Sequence, residues 1–450
     1  MLPDDVLQNI FHFYMKEYSI FSTKRRVESW QSLVHVCRRW RNVVFGLPRS
    51  LNLQLCCKPE TPARDTLDVW PVLPLIVSGS TTLSGTDNVI AALGRSSRVY
   101  KVNLRGLADG QLEEILAAMQ VSFPELAELR LSSCAETPPV IPDSFLDGSA
   151  PRLRSLELDE ISFPGLPKLL LSATHLVHLV LSDIPHSGYI SPEAMVDLLC
   201  GLPSLEKLIL EFISPQSRPD LESRSLPPPK LSILPALDDF HFKGGTDYLE
   251  DLVTPIDTPQ LKTLGITFFN QIDFDTPQLS QFIIRTPKLG RHNAHIQFND
   301  RNTIVTLEAH SGTLEIEISC IEPDLQLWSV AQICNSLPPL FTVKDLYIEY
   351  EYSKQVWKNG AIDNDLWLEL LLPFTAVKNL YLSQVFAPGI TAALQELVGA
   401  GIAEVLPSLQ NIFVEGLEPR GPLQKNIRRF VGARRRSGHP IVVSVWERDW

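Results

Sequence analysis

Residues 153–158 and 176–181 read LRSLEL and LVHLVL, and the pattern they share decides the fold. Each stretch holds an apolar residue, two residues of either kind, and two more apolar residues separated by one position. Because the side chains of a strand alternate between its two faces, the last four residues of each stretch predict a short strand with one apolar face. The pattern occurs eleven times, starting at residues 99, 126, 153, 176, 205, 237, 261, 279, 343, 377 and 409.

Helix-like stretches lie between the predicted strands. Residues 191–202 begin with Ser191 as an N-cap and Pro192 in the first turn, which is typical of a helix start. Similar stretches are found at 109–120, 324–337 and 364–374. An α/β chain that alternates short parallel strands with helices every 20 to 35 residues or so resembles a leucine-rich-repeat solenoid. The alternative is a doubly wound α/β domain, but buried central strands of that fold are usually continuous apolar runs.

The repeats are expected to be irregular. The Asn that usually follows the strand of such a repeat is missing here. Residues 285–342 fit the pattern poorly, and within them residues 303–320 predict a hairpin that turns at Ser311 and Gly312. The Pro- and Ser-rich segment 214–230 predicts an exposed loop.

The chain ends in a basic helix, predicted over 423–438, and a strand, predicted over 441–446, which together would cap the last repeat. The sequence therefore predicts four segments. They are a helical module at 1–51, a connecting segment and N-terminal cap at 52–98, the repeats at 99–418, and the C-terminal cap at 419–450.

Residues 2–14 and 30–44 predict two short amphipathic helices. The apolar positions of the first are Val6, Leu7, Ile10, Phe11 and Tyr14. Those of the second are Trp30, Leu33, Cys37, Trp40 and Val44. Two helices this small cannot form a core by themselves, so their apolar faces require the first repeat or a partner chain.

The run LPDDVLQNIF at 2–11, followed by SLVHVCRRWRNVV at 32–44, resembles an F-box, a three-helix module that docks on the Skp-type adaptor of cullin–RING ubiquitin ligases. Residues 62–79 and the repeats are similar to those of mushroom-type (basidiomycete) fungal F-box proteins, so the resemblance covers essentially the whole chain. It implies a substrate-recognition receptor of an SCF-type ligase. Two alternatives remain, namely helices that only cap the repeats and a leucine-rich-repeat interaction scaffold without a ligase role. The resemblance implies that the adaptor-facing or helix-holding positions are Leu2, Pro3, Leu7, Ile10, Phe11, Leu33, Cys37 and Trp40.

The charge of the chain argues against nucleic acid as its main partner. Net charge is −12, with +4 on residues 1–51 and +6 on residues 420–450, which leaves −22 on residues 52–419. A body this acidic repels phosphate groups. The expected partners are the adaptor, the ligase and an unidentified target protein, with neither nucleic acid nor membrane.

The sequence points to a cytoplasmic or nuclear location. Its seven cysteines form no CxxC pair and no disulfide spacing, which is typical of a reducing compartment. The first residues are acidic where a signal peptide would be basic, and no apolar run is long enough for a membrane span.

No catalytic motif is found, so we expect no enzyme activity, no cofactor and no metal. The spacing of His175 and His178 puts them on opposite faces of a strand and disfavours a metal site. Glu349 and Glu351 are interpreted as a solvated strand edge. The arginines at 434–436 are interpreted as a solvated helix face, with a nuclear address as the less favoured alternative.

What remains is a binding face. The residue between the last two apolar positions of each copy should point to the inner wall of the solenoid. These residues are Asn103, Arg130, Glu157, Val180, Ile209, His241, Gly265, Ile283, Tyr347, Tyr381 and Phe413. The last three are aromatic, the residue type enriched in binding hot spots, and we predict them to be a target-binding patch. The alternative is that the C-terminal helix folds over them.

Overall fold

The structure is a computed structural model that forms two compact units, Met1–Ile190 and Ser191–Trp450. It describes residues 2–21, 23–46, 51–60, 62–80, 85–137, 139–215, 231–269, 274–289, 292–337, 340–350, 363–396, 405–417 and 422–447. Most of the loop predicted at 214–230 lies outside the described residues.

The first unit is a parallel sheet preceded by three helices. Its strands pair in chain order, from the first to the sixth. The elements are α1 (Asp4–Phe21), α2 (Thr23–Val36), α3 (Arg38–Gly46), β1 (Leu55–Cys57), α4 (Ala63–Val69), β2 (Leu75–Ser80), α5 (Thr86–Leu93), β3 (Val99–Leu107), α6 (Asp109–Ala118), β4 (Glu128–Ser133), β5 (Ser155–Asp159), α7 (Leu166–Leu170) and β6 (His178–Ile184).

The N-terminal helices pack on one another and on the first strands. Residues 30–44 were predicted to form one helix, but they belong to two. The helical conformation is interrupted at Cys37, between α2 and α3. The Trp30 indole N–H donates to the carbonyl of Gln54 at 2.9 Å, and its ring lies 5.1 Å from that of Trp70. The segment between the helices and the repeats, through Trp70, thus supplies part of the apolar contact that helices this small require.

The second unit continues the strand–helix alternation. Its elements are α8 (Pro192–Cys200), β7 (Lys207–Phe212), β8 (Ser232–Ile233), β9 (Asp239–Gly244), α9 (Thr246–Val253), β10 (Ile256–Asp257), β11 (Thr263–Phe268), α10 (Pro277–Arg285), β12 (Asn293–Phe298), β13 (Asn302–Ala309), β14 (Gly312–Ser319), α11 (Pro323–Ser336), β15 (Asp345–Tyr350), α12 (Asn364–Leu371), β16 (Asn379–Leu382), α13 (Ala387–Glu396), β17 (Asn411–Glu415), α14 (Pro422–Arg436) and β18 (Val442–Trp446).

The sheet of the second unit has the order β7-β9-β11-β14-β13-β12-β15-β16-β17-β18. All its described pairs are parallel except those of β13, which is antiparallel to both neighbours. Strands β8 and β10 form a separate parallel pair.

Ten of the eleven predicted repeat strands are present, and within each unit those that are direct neighbours in the sheet pair in register. Leu156 pairs with Leu129 on one side and with Leu179 on the other, and all three side chains are buried. Burial alternates along most strands, so one face of each sheet is covered and the other stays open. We call the uncovered face of each sheet its open face. The chain is therefore a mixed α/β protein built of leucine-rich-repeat-like units.

The strand predicted at 279–284 is wrong, because these residues belong to α10. Leu279, Phe282 and Ile283 are buried at a spacing of three and one, which suits one side of a helix. The Glu250 carboxylate accepts the backbone N–H groups of Gln278 and Leu279 at 2.8 and 2.7 Å and so fixes the first turn. Ile283 is therefore a core residue and does not belong to the binding face.

The hairpin predicted at 303–320 is confirmed as β13 and β14. It does not bulge from the sheet: β14 pairs with β11, and β12, which the repeat pattern missed, pairs with β15. The sheet is therefore continuous through the segment that fits the repeat poorly.

The end of the chain carries α14 and β18, and β18 extends the sheet parallel to β17. The interpretation of residues 434–436 as a solvated face is wrong for Arg434. Its side chain is 1% exposed and donates to the carbonyl of Leu406 at 3.0 Å. Arg435 and Arg436 are exposed.

Candidate binding surfaces

Four rings stack side by side on the open face of the second unit. Tyr347, Tyr381 and Phe413 pair across β15, β16 and β17, as their common register predicts. Their ring centroids are 4.2 and 4.5 Å apart, and the planes are within 10° of parallel. His295 of β12 extends the row, with its ring 4.2 Å from that of Tyr347. We call these four residues the aromatic ladder.

Trp446, rather than the C-terminal helix, lies against the aromatic ladder. Its ring centroid is 5.9 Å from that of Tyr347 and 5.5 Å from that of Tyr381. Helix α14 packs on α13 in the helical layer. The ladder residues and Trp446 remain half-buried, so the rings are partly open to a partner.

Two carboxylates flank Tyr347 in the aromatic ladder. Asp345 and Glu349 lie two positions before and after Tyr347, on the same face of β15. Burial raises the pKa of the Tyr347 phenol, and the neighbouring Tyr381 and the two carboxylates raise it further. Glu349 is therefore part of the ladder's surroundings, where the sequence predicted only a solvated edge; its Oε1 lies 3.8 Å from Nδ1 of His295. Glu351 lies outside the described residues.

The remaining positions of the predicted binding face are mixed in character. In the first unit, Asn103, Arg130, Glu157 and Val180 are paired in register, and Arg130 forms an ion pair with Glu157 at 2.9 Å. In the second unit the row continues with Ile209, His241 and Gly265. Gly265 has no side chain. A Cβ on Gly265 would lie 2.3 Å from Nδ1 of His241, so the imidazole fills that space. Ile209 is half-buried beside His241.

Metal-binding groups are not assembled in the part of the chain that the structure describes: it brings together no group of three or more His, Cys, Asp or Glu residues that could hold an ion. His178 lies at the start of β6, and His175 lies in the turn before it. His295 stacks on Tyr347, whereas His292 lies just before β12.

Helix α1 carries two apolar sides, where the sequence predicted one. Leu7, Phe11 and Met15 are buried at a spacing of four and form the core of the helical module. Val6, Ile10 and Phe13 are spaced by four and three on the other side, and Ile10 and Phe13 are 44% and 71% exposed. Phe13 was not among the predicted apolar positions, although this second spacing is present in the sequence.

The eight positions that the F-box resemblance singles out divide into two groups. Leu7, Phe11 and Leu33 are buried, and Trp40 is half-buried against the ring of Phe11 at 4.8 Å. The other four positions are exposed. They are Leu2, Pro3, Ile10 and Cys37.

The start of α1 is held against the start of α3. The Arg39 guanidinium donates to the Asp4 carboxylate at 2.7 Å and to the carbonyl of Leu2 at 2.5 Å. This contact joins the beginning of α1 to the junction of α2 and α3, where Val36 is 58% exposed. We call Ile10 and Phe13, which lie on the same side of α1, the exposed apolar side of the module.

A cavity of about 610 Å³ opens on the first unit. Its walls include Cys56, Ser78 and Asn103, and the Cys56 thiol lies 3.4 Å from the Ser78 hydroxyl. Lys101 and Glu128, which also line it, form an ion pair and so neutralise one another.

No helix of the described residues combines the length and the apolar character that crossing a membrane requires.

Comparisons with known proteins give no family for the chain. No protein-family model matches it, and no curated protein matches it. Among solved structures, the leucine-rich repeat-containing protein LegL7 from Legionella pneumophila is similar at 15% identity and a TM-score of 0.28, over 84% of this chain and 97% of that one. A structure of the Rad7 and Elc1 complex in yeast is similar at 12% identity and a TM-score of 0.26, over 92% of this chain and 88% of that one.

Proposed function

We propose that the chain is a substrate-recognition receptor of an SCF-type cullin–RING ubiquitin ligase. In this proposal the helical module α1–α3 is an F-box that docks on a Skp-type adaptor, and the open face of the repeats binds the target protein. The chain itself performs no chemistry and takes no cofactor, because its part is to hold the target near the ligase, in the cytoplasm or the nucleus.

The exposed apolar side of the module is the observation that carries the proposal. Helices that served only to cap the repeats would bury one side and present a polar side to water. Helix α1 instead presents Ile10 and Phe13 to solvent, while Leu7, Phe11 and Met15 on its core side are already buried. Grouped large apolar side chains outside the core are typical of a protein-binding site.

The target-binding half of the proposal is supported by the aromatic ladder. Half-buried tyrosine and phenylalanine side chains on a rigid sheet offer apolar area with little loss of side-chain entropy on binding. The backbone of β15, β16 and β17 is fixed by parallel pairing, so the rings are held in place before a partner arrives.

The test is co-purification with a purified Skp-type adaptor. The double variant Ile10→Ser, Phe13→Ser should lose the adaptor, because truncating an interface anchor costs about 2 kcal/mol or more. Its stability should stay within about 0.5 kcal/mol of the native chain, since neither side chain is in the core. Truncating Leu7 or Trp40 would be a poorer test because both hold the module together.

The matched control replaces two exposed apolar residues elsewhere in the same unit, as Val121→Ser and Leu171→Ser. This control should bind the adaptor like the native chain. If the native chain does not retain the adaptor, or if both double variants retain it equally, the module is no docking site. The chain would then be a repeat scaffold without a ligase role.

A further inference from the structure

The strands that carry the aromatic ladder have an unusual charge content. Strands β12 to β18 contain no Lys and no Arg. They contain six carboxylates, all on the open face: Glu308, Glu315, Glu317, Asp345, Glu349 and Glu415. Basic residues occur just before these strands, at Arg301, Lys344 and Lys378, and not within them. A partner that meets this surface therefore meets negative charge.

Some of these carboxylates accept hydrogen bonds from neighbouring side chains, and others are exposed to solvent. Glu317 accepts from Thr267 at 3.2 Å and from the Asn302 amide, and Asp345 accepts from the Asn379 amide at 2.6 Å. Glu315 and Glu308 are exposed. Glu315 lies in the same cross-strand row as the aromatic ladder, because it pairs with Thr306, which pairs with His295.

From this arrangement we infer that the partner of the aromatic ladder presents an arginine-bearing basic segment. The inference rests on the proposed function, since it names the chemistry of the target that the open face binds. The carbon stem of an arginine lies along the edges of the rings, and its guanidinium reaches the carboxylates beside them. We call Glu315, Asp345, Glu349 and Glu415 the acidic border of the ladder.

Arginine suits this surface better than lysine does. Its planar guanidinium can bond both oxygens of a carboxylate at once and is more weakly hydrated than an ammonium group, so it loses less on leaving water. A phosphate-bearing partner is disfavoured, because its charges would face six carboxylates with no Lys or Arg on the strands to offset them.

The experiment measures binding of the full chain to short labelled peptides by fluorescence anisotropy. Three peptides of equal length alternate glycine with arginine, with lysine or with glutamate. We expect the arginine peptide to bind more tightly than the lysine peptide and the glutamate peptide not to bind, at about 150 mM salt. The double variant Glu315→Gln, Glu349→Gln should bind the arginine peptide at least about fivefold more weakly.

A matched variant separates this surface from the general negative charge of the chain. Glu113→Gln with Glu114→Gln removes the same two charges from exposed positions of α6, and it should leave binding of the arginine peptide unchanged. The single variant Glu315→Gln, at an exposed position, serves if the double variant is unstable.

Two results would overturn the inference: arginine and glutamate peptides that bind alike, or border and control variants that bind the arginine peptide alike. Neither result bears on adaptor binding, which depends on the helical module alone, so failure here and failure of the proposed function remain distinguishable.

Discussion

At the scale of the residue, Arg434 shows how a charge run can hide a core position. Ile427, Phe430 and Arg434 are spaced by three and four, and all three are buried. The arginine therefore lies on the apolar side of α14, where its guanidinium bonds the carbonyls of Leu406 and Pro407. Burial lowers the pKa of Arg434 from its ordinary value. The helical spacing was present in the sequence, but the two carbonyls lie in a distant turn that the spacing cannot reveal.

Replacing Arg434 should therefore destabilise the chain. Arg434→Ala leaves the two carbonyls without this donor, and a buried acceptor left unpaired costs about 1–3 kcal/mol. The measurement is the midpoint of chemical denaturation. The neighbouring Arg435→Ala, at an exposed position, should change stability by no more than about 0.5 kcal/mol. Equal effects of the two substitutions would mean that the Arg434 contacts contribute nothing.

At the scale of the element, the repeat pattern predicted eleven strands, of which ten are present, and it failed where a strand and a helix periodicity coincide. The stretch LSQFII at 279–284 fits the strand pattern through Leu279, Phe282 and Ile284. It equally fits one side of a helix through Leu279, Phe282 and Ile283. The carboxylate of Glu250, on another helix, favours the helix by capping α10. That contact spans more than twenty residues and is invisible to a local pattern.

The opposite failure occurs at β12. In the stretch RHNAHI at 291–296 the first apolar position of the pattern is taken by Arg291, so the strand was missed. Its alternation is nevertheless complete, since Ala294, Ile296 and Phe298 are all buried. With β12 missed, His295 was missed as a member of the aromatic ladder. Trp446 was missed because its strand was read only as a cap.

The hairpin of β13 and β14 depends on one glycine. A Cβ on Gly312 would lie 2.3 Å from the carbonyl oxygen of Lys262 and 2.9 Å from that of Lys288. Backbone oxygens cannot move aside as side chains do, so Gly312→Ala should destabilise the chain by about 1–3 kcal/mol, as overpacking does. Thermal unfolding measures the loss.

Gly110 provides the control for this prediction. It lies in α6, and a Cβ there would meet nothing within 4 Å. Gly110→Ala should be neutral or stabilising by up to about 1 kcal/mol, because alanine favours a helix over glycine. If Gly312→Ala proves as harmless as Gly110→Ala, the turn does not constrain the hairpin.

At the scale of the whole molecule, charge is divided between an acidic body and two basic ends. Several arginines of the basic ends already make contacts within the fold. Arg39 pairs with Asp4, Arg41 donates to the carbonyl of Val34, and Arg434 is buried. The sequence alone gave the charge of each segment. It could not show which arginines are used inside the fold.

This distribution predicts that the full chain does not bind nucleic acid under physiological conditions. Residues 52–419 carry −22 and repel the phosphate backbone, while engaged arginines of the ends have less capacity to neutralise it. A gel shift with duplex DNA should therefore show no retention at about 150 mM salt, where screening limits attraction to about 8 Å. Weak retention at low salt should disappear in Arg435→Ala, Arg436→Ala, because these two exposed side chains belong to the basic C-terminal end. Retention at about 150 mM salt, steeply reduced by further salt, would show that the ends form a phosphate-binding surface despite the acidic body.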